Sequence, residues 1–196
     1  VYNGSTWLGE TILEESATNP KAKWSQYNNH EGLNTIDFLF ASGGDVFWNE
    51  LILSSGDGSV TIANNLTLGG AGNIILDAET NDKAVDVGGN LIIGSGDRFE
   101  AAGTASFTIG GNLTTTGSFS NNTGTLSFDG SGTSVISGGD ADFYNIITAA
   151  SLTNLQFSGA NTYTLENSTF TAASPVEVAT GATLTGTGTL NFSDDF

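Results

Sequence analysis

The chain has 196 residues, of which 21 are acidic and four are basic, so its formal net charge is −17. A nucleic-acid partner requires a basic stripe that displaces counterions from the phosphates, and this composition excludes one. There is no Cys, so disulfides do not contribute to the fold, and no apolar run approaches the ~20 residues that span a bilayer. Short Val-, Ile-, Phe- and Thr-rich stretches, broken up by Gly and Asn, predict an all-β chain.

The first 35 residues differ in character from the rest of the chain. They contain two of the three Trp and half of the basic residues, and they lack the alternation of apolar and polar residues that follows. Because the end of a stack of strands exposes unpaired backbone groups, we predict that residues 1–35 form a cap or irregular first coils. Residues 36–196 are predicted to form the repeat stack.

Four aromatic residues in or near this first segment form a candidate glycan-binding platform: Trp7, Trp24, Tyr27 and Trp48. Such side chains combine a large apolar face with a polar end, which suits contact with a sugar ring. They are equally suited to packing beneath a cap, and we favour that alternative. The sequence leaves both open.

Three ten-residue windows align without a gap in the middle of the chain. They read SVTIANNLTL from Ser59, AVDVGGNLII from Ala84 and SFTIGGNLTT from Ser106, at offsets of 25 and 22 residues. Apolar residues alternate in each window, so one face of each strand points inward, and the chain can bury that face only by coiling so that the copies stack. We therefore predict a β-solenoid with coils of about 22–25 residues. Its interior columns are Val60, Val85 and Phe107; Ile62, Val87 and Ile109; and Leu66, Leu91 and Leu113.

An Asn occupies the same position in each window, directly after two turn residues: Asn65, Asn90 and Asn112. Stacked Asn side chains can hydrogen-bond along a column and form a ladder between coils. Asn also tolerates the left-handed backbone that some turns require. Both explanations predict a structural role for the three residues.

A longer repeat relates SGGDVFWNELIL, from Ser42, to SGGDADFYNIIT, from Ser137. With one residue inserted, Asn49 aligns with Asn145, 96 residues later. An interval of that length holds about four coils, so the alignment predicts that the two segments lie at the same point of the coil.

Isolated Gly-Asp turns occur at residues 55–58, 95–97 and 138–140. Calcium-binding nonapeptide repeats need tandem copies, so that successive turns share an ion. The isolated copies instead predict ordinary turns and no cofactor, with calcium left as an unsupported alternative.

No residue cluster predicts catalysis. Enzymes that act on polysaccharides also use β-helices, and a lyase on that fold needs a basic residue beside a carboxylate cluster. The repeat region contains only Lys83 and Arg98 as basic residues, with Asp82 and Asp86 close to the first. A hydrolase needs two carboxylates on opposite sides of a cleft, and the Asp pairs near the C-terminus are merely close in sequence. We predict that the chain is not an enzyme.

Two segments carry a resemblance to known proteins. GTLSFDGSGTSVISGGDADFYNI, from Gly124 to Ile146, resembles segments of very large bacterial surface proteins with β-strand repeats. VEVATGATLTGTGTL, from Val176 to Leu190, is similar to the passenger-domain repeats of autotransporters and filamentous-haemagglutinin-type adhesins. The resemblance implies a right-handed parallel β-helix and an extracellular or bacterial cell-surface location.

The resemblance also implies a structural or adhesive role. We predict a module that builds a cell-surface stalk or filament by end-to-end self-association, or that stacks on neighbouring domains of a longer chain. The alternative is an adhesin or carbohydrate-binding module of a larger surface protein, whose partners are surface glycans.

Overall fold

The computed structural model describes residues 21–24, 36–40, 50–53, 59–70, 74–139, 141–166, 169–187 and 189–192. Within these ranges the chain contains strands and turns but no helix, and the strands form three parallel sheets. The prediction of an all-β parallel β-solenoid is confirmed. In the same ranges no helix has the length and apolar character needed to cross a membrane.

Each full coil passes once through the three sheets, which we name A, B and C in the order in which the chain meets them from β4 onward. Sheet A contains β4 (Val60–Ile62), β7 (Val85–Val87), β10 (Phe107–Ile109), β13 (Thr125–Phe128), β16 (Asn145–Thr148), β19 (Thr169–Ala172) and β22 (Thr189–Phe192). Sheet B contains β2 (Ile36–Phe40), β5 (Leu66–Gly70), β8 (Leu91–Ile93), β11 (Leu113–Thr115), β14 (Thr133–Ser137), β17 (Asn154–Phe157) and β20 (Val176–Val178). Sheet C contains β1 (Lys21–Trp24), β3 (Glu50–Leu53), β6 (Ile75–Asp77), β9 (Arg98–Glu100), β12 (Ser118–Ser120), β15 (Ala141–Phe143), β18 (Thr162–Leu165) and β21 (Thr183–Gly186).

The predicted interior columns are confirmed by the pairing of the strands. Val60 pairs with Val85, which pairs with Phe107 on its other side. The columns through Val87 and Leu91 follow the predicted register as well, and both residues are fully buried. Burying one such aliphatic side chain contributes about 1.5–3 kcal/mol, so each interior column stabilises the stack.

Aromatic rings fill the interior between the sheets. Phe99 lies 5.0 Å from Phe107 and 6.1 Å from Phe119, measured between ring centroids, and Phe119 lies 5.7 Å from Phe143. These distances fall in the range in which ring pairs contribute about 0.5–1.5 kcal/mol beyond their buried area. The core therefore also contains Phe rings from strands that lie outside the three aligned sequence windows.

Coil length is not constant along the stack. The first intervals are 25 and 22 residues, as predicted, but Phe107 pairs with Leu126 only 19 residues later, and Leu126 pairs with Ile146 after 20. The difference arises in the corners: residues 101–106 connect β9 to β10, whereas only residues 121–124 connect β12 to β13. The strands keep their register while the corners vary in length.

The two segments of the longer sequence repeat do not lie at the same point of the coil, so that prediction is wrong. Glu50, which follows Asn49, lies in β3 of sheet C, whereas the residue aligned with it, Ile146, lies in β16 of sheet A. In sheet C, four coils from Ile52 end at Asp142, which is 90 residues later. Because coil length varies, an interval of 96 residues passes the end of the fourth coil and reaches the next sheet.

The predicted boundary at residue 35 falls near the start of the described ranges. β1 lies before that boundary, pairs in parallel with β3 and is the terminal strand of sheet C. Residues 1–20 and 25–35 are outside the described residues, so the cap stays a prediction.

Candidate functional site

The structure describes only one of the four aromatic residues proposed to contact glycan. Trp24 is the last residue of β1, at the edge of sheet C. Trp7, Tyr27 and Trp48 lie outside the described residues. The aromatic platform therefore stays a prediction.

The three predicted Asn form a column at the corner between sheets A and B. The Oδ1 of Asn65 accepts a hydrogen bond of 2.8 Å from the backbone N–H of Asn90, and the Oδ1 of Asn90 accepts one of 2.8 Å from the backbone N–H of Asn112. The Oδ1 of Asn112 in turn accepts from the backbone N–H of Val135, also at 2.8 Å. Each Asn side chain thus bonds to the backbone of the next coil, and the column ends where Val replaces Asn.

A left-handed backbone does not explain these Asn. Among the described residues other than Gly, those with positive φ are Asp82 and Asn122, in other corners. The geometry of this corner instead depends on a close approach between coils. A Cβ on Gly110 would lie 2.3 Å from the carbonyl oxygen of Gly88, so the Gly pairs before Asn90 and Asn112 allow the corners to stack.

A fourth Asn with the same type of contact, Asn121, was not predicted. Asn121 is buried at the corner between sheets C and A, and its Oδ1 accepts a 2.8 Å hydrogen bond from the backbone N–H of Tyr144 in the next coil. Its Nδ2 donates to the carbonyl oxygens of Gly124 and Asn145, both at 3.1 Å. Sequence alignment missed Asn121 because the corresponding residue of the preceding coil is Ala101, so no periodic signal exists.

Asp82 connects two coils at the same type of corner. Its Oδ1 accepts hydrogen bonds from the backbone N–H groups of Thr104, at 2.7 Å, and Ala105, at 3.0 Å, and its Oδ2 accepts from the Thr104 hydroxyl. These bonds, above all the one from the Thr104 hydroxyl, lower the pKa of Asp82 to about 2. Because the pKa is lower in the folded state, this contact stabilises the fold above pH 3.8 and is lost as the pH falls toward about 2.

The turn at residues 95–97 contains a buried carboxylate. Asp97 is only 1% exposed, and its Oδ1 accepts a 2.9 Å hydrogen bond from the backbone N–H of Ile74 in the preceding coil. Its Oδ2 is also buried and has no hydrogen-bond partner. Burial raises the pKa of Asp97, against the opposing effect of the Ile74 hydrogen bond.

Replacing Asp97 with Asn is expected to stabilise the chain at neutral pH. A raised pKa in the folded state means that stability is lost as the pH rises through that pKa, and Asn removes the buried charge while its Oδ1 keeps the bond to Ile74. We expect Tm to rise by about 2–4 °C at pH 7 and the difference from the unmodified chain to vanish below about pH 4. Thermal unfolding followed by circular dichroism at a series of pH values measures this. A gain that is equal at all pH values would show that the charge of Asp97 is not the cause.

The carboxylate of Asp86, on β7 of sheet A, lies near that of Asp129, which directly follows β13. Asp86 accepts a 2.6 Å hydrogen bond from the hydroxyl of Thr108, and the pKa of Asp129 is raised, first by burial and then by the negative charge of Asp86. Among the described residues, no group of three or more His, Asp or Glu is placed to hold a metal ion.

The repeat region contains two basic residues, Lys83 and Arg98. Arg98 forms an ion pair with Glu100 on its own strand, at 2.5 Å, and the side chain of Lys83 is buried at a corner.

No family model, curated protein or solved structure matches this chain. The β-solenoid architecture therefore stands on the structure itself. The resemblance to autotransporter passenger domains and filamentous-haemagglutinin-type adhesins remains a prediction.

Proposed function

We propose that this chain is a structural module, not an enzyme, which forms part of a stalk or filament on a bacterial surface by end-to-end association. The observation that carries the proposal is the continuous ladder of each sheet: among the described residues, sheets A and B hold seven strands each and sheet C holds eight, all parallel. At ~4.8 Å between strands, sheet C corresponds to roughly 34 Å along the stack. A dry core and continuous backbone ladders suit a rigid spacer.

The hydrogen bonds between coils support the same proposal. Asp82 and Asp97, two of the carboxylates with shifted pKa values, accept hydrogen bonds from a neighbouring coil, and Arg98 pairs with Glu100 on its own strand. The hydrogen bonds of Asp82 and Asp97 hold neighbouring coils together. We propose an extracellular location because a Cys-free, acidic chain rich in Gly, Thr and Asn suits a surface protein.

The first experiment is negative-stain electron microscopy of the purified chain with and without calcium, combined with a screen of polysaccharides for binding and turnover. We expect rods or regular fibres of uniform width, unchanged by calcium, and no turnover. Release of sugar products would contradict the structural function. Specific glycan binding that is lost in a Trp7→Ala, Trp24→Ala variant with an intact fold would favour the adhesin alternative instead.

A further inference from the structure

We propose that Asn65 and Asn112 are acceptor sites for N-linked glycosylation, so that the stack carries sugars on the corner between sheets A and B. The inference goes beyond the proposed structural function. It rests on one part of that proposal, the surface location, because sugars are attached to Asn-x-Ser/Thr sequences of exported proteins.

Both residues begin an acceptor sequence: Asn65-Leu66-Thr67 and Asn112-Leu113-Thr114. The Leu in the middle of each sequence is fully buried in the core. Because successive side chains of a strand point to opposite faces, the Asn and the Thr on either side of that Leu point outward, and all four are partly exposed. The amide and the hydroxyl that define the acceptor sequence therefore lie on the same outer face.

The Nδ2 atom of Asn112, to which the sugar is attached, has no hydrogen-bond partner in the described part of the chain. The ladder between coils uses only Oδ1, which accepts from the backbone N–H of Val135, and a backbone N–H can bond only to the oxygen of the amide. Nδ2 is not among the buried, unpaired side-chain atoms of the described residues, so it reaches solvent. A sugar on Nδ2 therefore leaves the bond between coils intact.

The corner around Asn112 has room for a sugar. Two Gly precede Asn112, and the corner of the next coil, residues 129–132, consists of Asp, Gly, Ser and Gly. A Cβ at Gly132 would meet no atom within 4 Å. Asn65 and Asn112 lie two coils apart, roughly 10 Å at the spacing of paired strands. Sugars on the two residues therefore do not compete for the same space.

Two other Asn show what the site requires. Asn90 has the same place in the column, but Ile92 stands where the acceptor sequence needs a hydroxyl. Asn121 is followed by Asn and Thr and so matches the acceptor sequence, yet it is buried, and its Nδ2 donates to the carbonyl oxygens of Gly124 and Asn145. A sugar on Asn121 would break these bonds. We therefore expect neither Asn90 nor Asn121 to be modified in the folded chain.

The transfer is a substitution at C1 of the sugar. The bond between C1 and Nδ2 forms, and the bond between C1 and the phosphate of a nucleotide- or lipid-linked sugar donor breaks. The phosphate leaves with the bonding electrons, and Nδ2 loses one of its two protons to a base of the transferase. The chain supplies the acceptor nitrogen and the Thr hydroxyl, and no oxidant or reductant is needed.

Mass spectrometry of peptides from the chain, isolated from the cells that produce it, tests the proposal. Chymotrypsin cleaves after Leu113 and Phe119, so Asn112 and Asn121 fall on different peptides. We expect mass increments of whole sugar residues on the peptides that contain Asn65 and Asn112, and none on the peptide that contains Asn121. Unmodified Asn65 and Asn112 in this material would overturn the proposal.

Variants made in the same cells test the acceptor sequence itself. Thr114→Val removes the hydroxyl, and we expect it to lower the modified fraction of Asn112 at least about tenfold. Ser137→Ala is the matched control, since it removes the hydroxyl 3.3 Å from that of Thr114 and leaves the acceptor sequence unchanged. Ile92→Thr completes the acceptor sequence of Asn90 and should add a sugar there. Equal modification of Asn112 in Thr114→Val and the control would overturn the assignment.

The outcomes separate this inference from the proposed function. If electron microscopy shows rods and Asn65 and Asn112 carry no sugar, the acceptor sites are refuted and the structural function stands. If the chain turns over a polysaccharide and both residues carry sugars, the structural function is refuted and the acceptor sites stand.

Discussion

Replacing Ile146 with Asp is expected to unfold the solenoid, whereas the same replacement at the next residue, Ile147, is expected to leave it folded. The two residues are neighbours on β16 and differ only in the face of sheet A on which they lie. Ile146 is fully buried between Leu126 and Phe170, and Ile147 is 42% exposed. A carboxylate at Ile146 would lie in the dry core without a partner, at a cost of more than about 4 kcal/mol, whereas a surface change costs about 0.5 kcal/mol.

Urea-induced unfolding of both variants, followed by far-ultraviolet circular dichroism, measures the difference. The variants have the same composition and net charge, so each is the control for the other. Equal stability of the two would contradict the register of β16, because a shift of one residue exchanges the two faces of a strand.

The interior of the stack could be predicted from sequence because it repeats. Val60, Val85 and Phe107 occur at nearly constant intervals, and alternation along each strand identifies which side chains point inward. The same reasoning failed for the longer repeat, which matches Asn49 with Asn145. That match assumes coils of constant length, but the corners of this solenoid differ in length from coil to coil.

The corners could be predicted only where they repeat. Asn65, Asn90 and Asn112 were recognised as a column, but sequence alone could not distinguish bonds between side chains from the bonds to backbone N–H groups that the structure shows. Asn121 and Asp97 make the same type of contact once each. A contact that occurs in one coil leaves no periodicity, so it becomes visible only when the coils are stacked in space.

These corner contacts share one physical role. A sheet pairs its own backbone groups, but a corner leaves N–H groups without a strand partner, and an unpaired buried N–H costs about 1–3 kcal/mol. Here oxygen atoms of short side chains accept from those groups across coils: Asn residues at the corner between sheets A and B, Asn121 and Asp82 at the corner between sheets C and A, and Asp97 at the corner between sheets B and C. The acidic composition therefore contributes to the fold as well as to the surface.

Replacing an Asn of the column is the second change that we expect to lower stability substantially. Asn90→Ala removes the Oδ1 that accepts from the backbone N–H of Asn112, and it should lower the free energy of unfolding by about 1–2 kcal/mol, since the half-buried site limits how well water can replace the bond. Asn112→Ala should have a similar effect through Val135. Denaturant unfolding with a constant m-value measures both.

Asn90→Asp separates the hydrogen bond from the other properties of Asn. Asp keeps an oxygen that can accept from the N–H of Asn112 and loses only the Nδ2 donor, so at pH 7 we expect it to recover more than half of the stability lost in Asn90→Ala. A carboxylate that accepts a backbone N–H has a lowered pKa, so this recovery should decline in acid, as protonation weakens the bond. If Asn90→Asp were as unstable as Asn90→Ala at pH 7, the accepting oxygen would not be the group through which the column stabilises the stack.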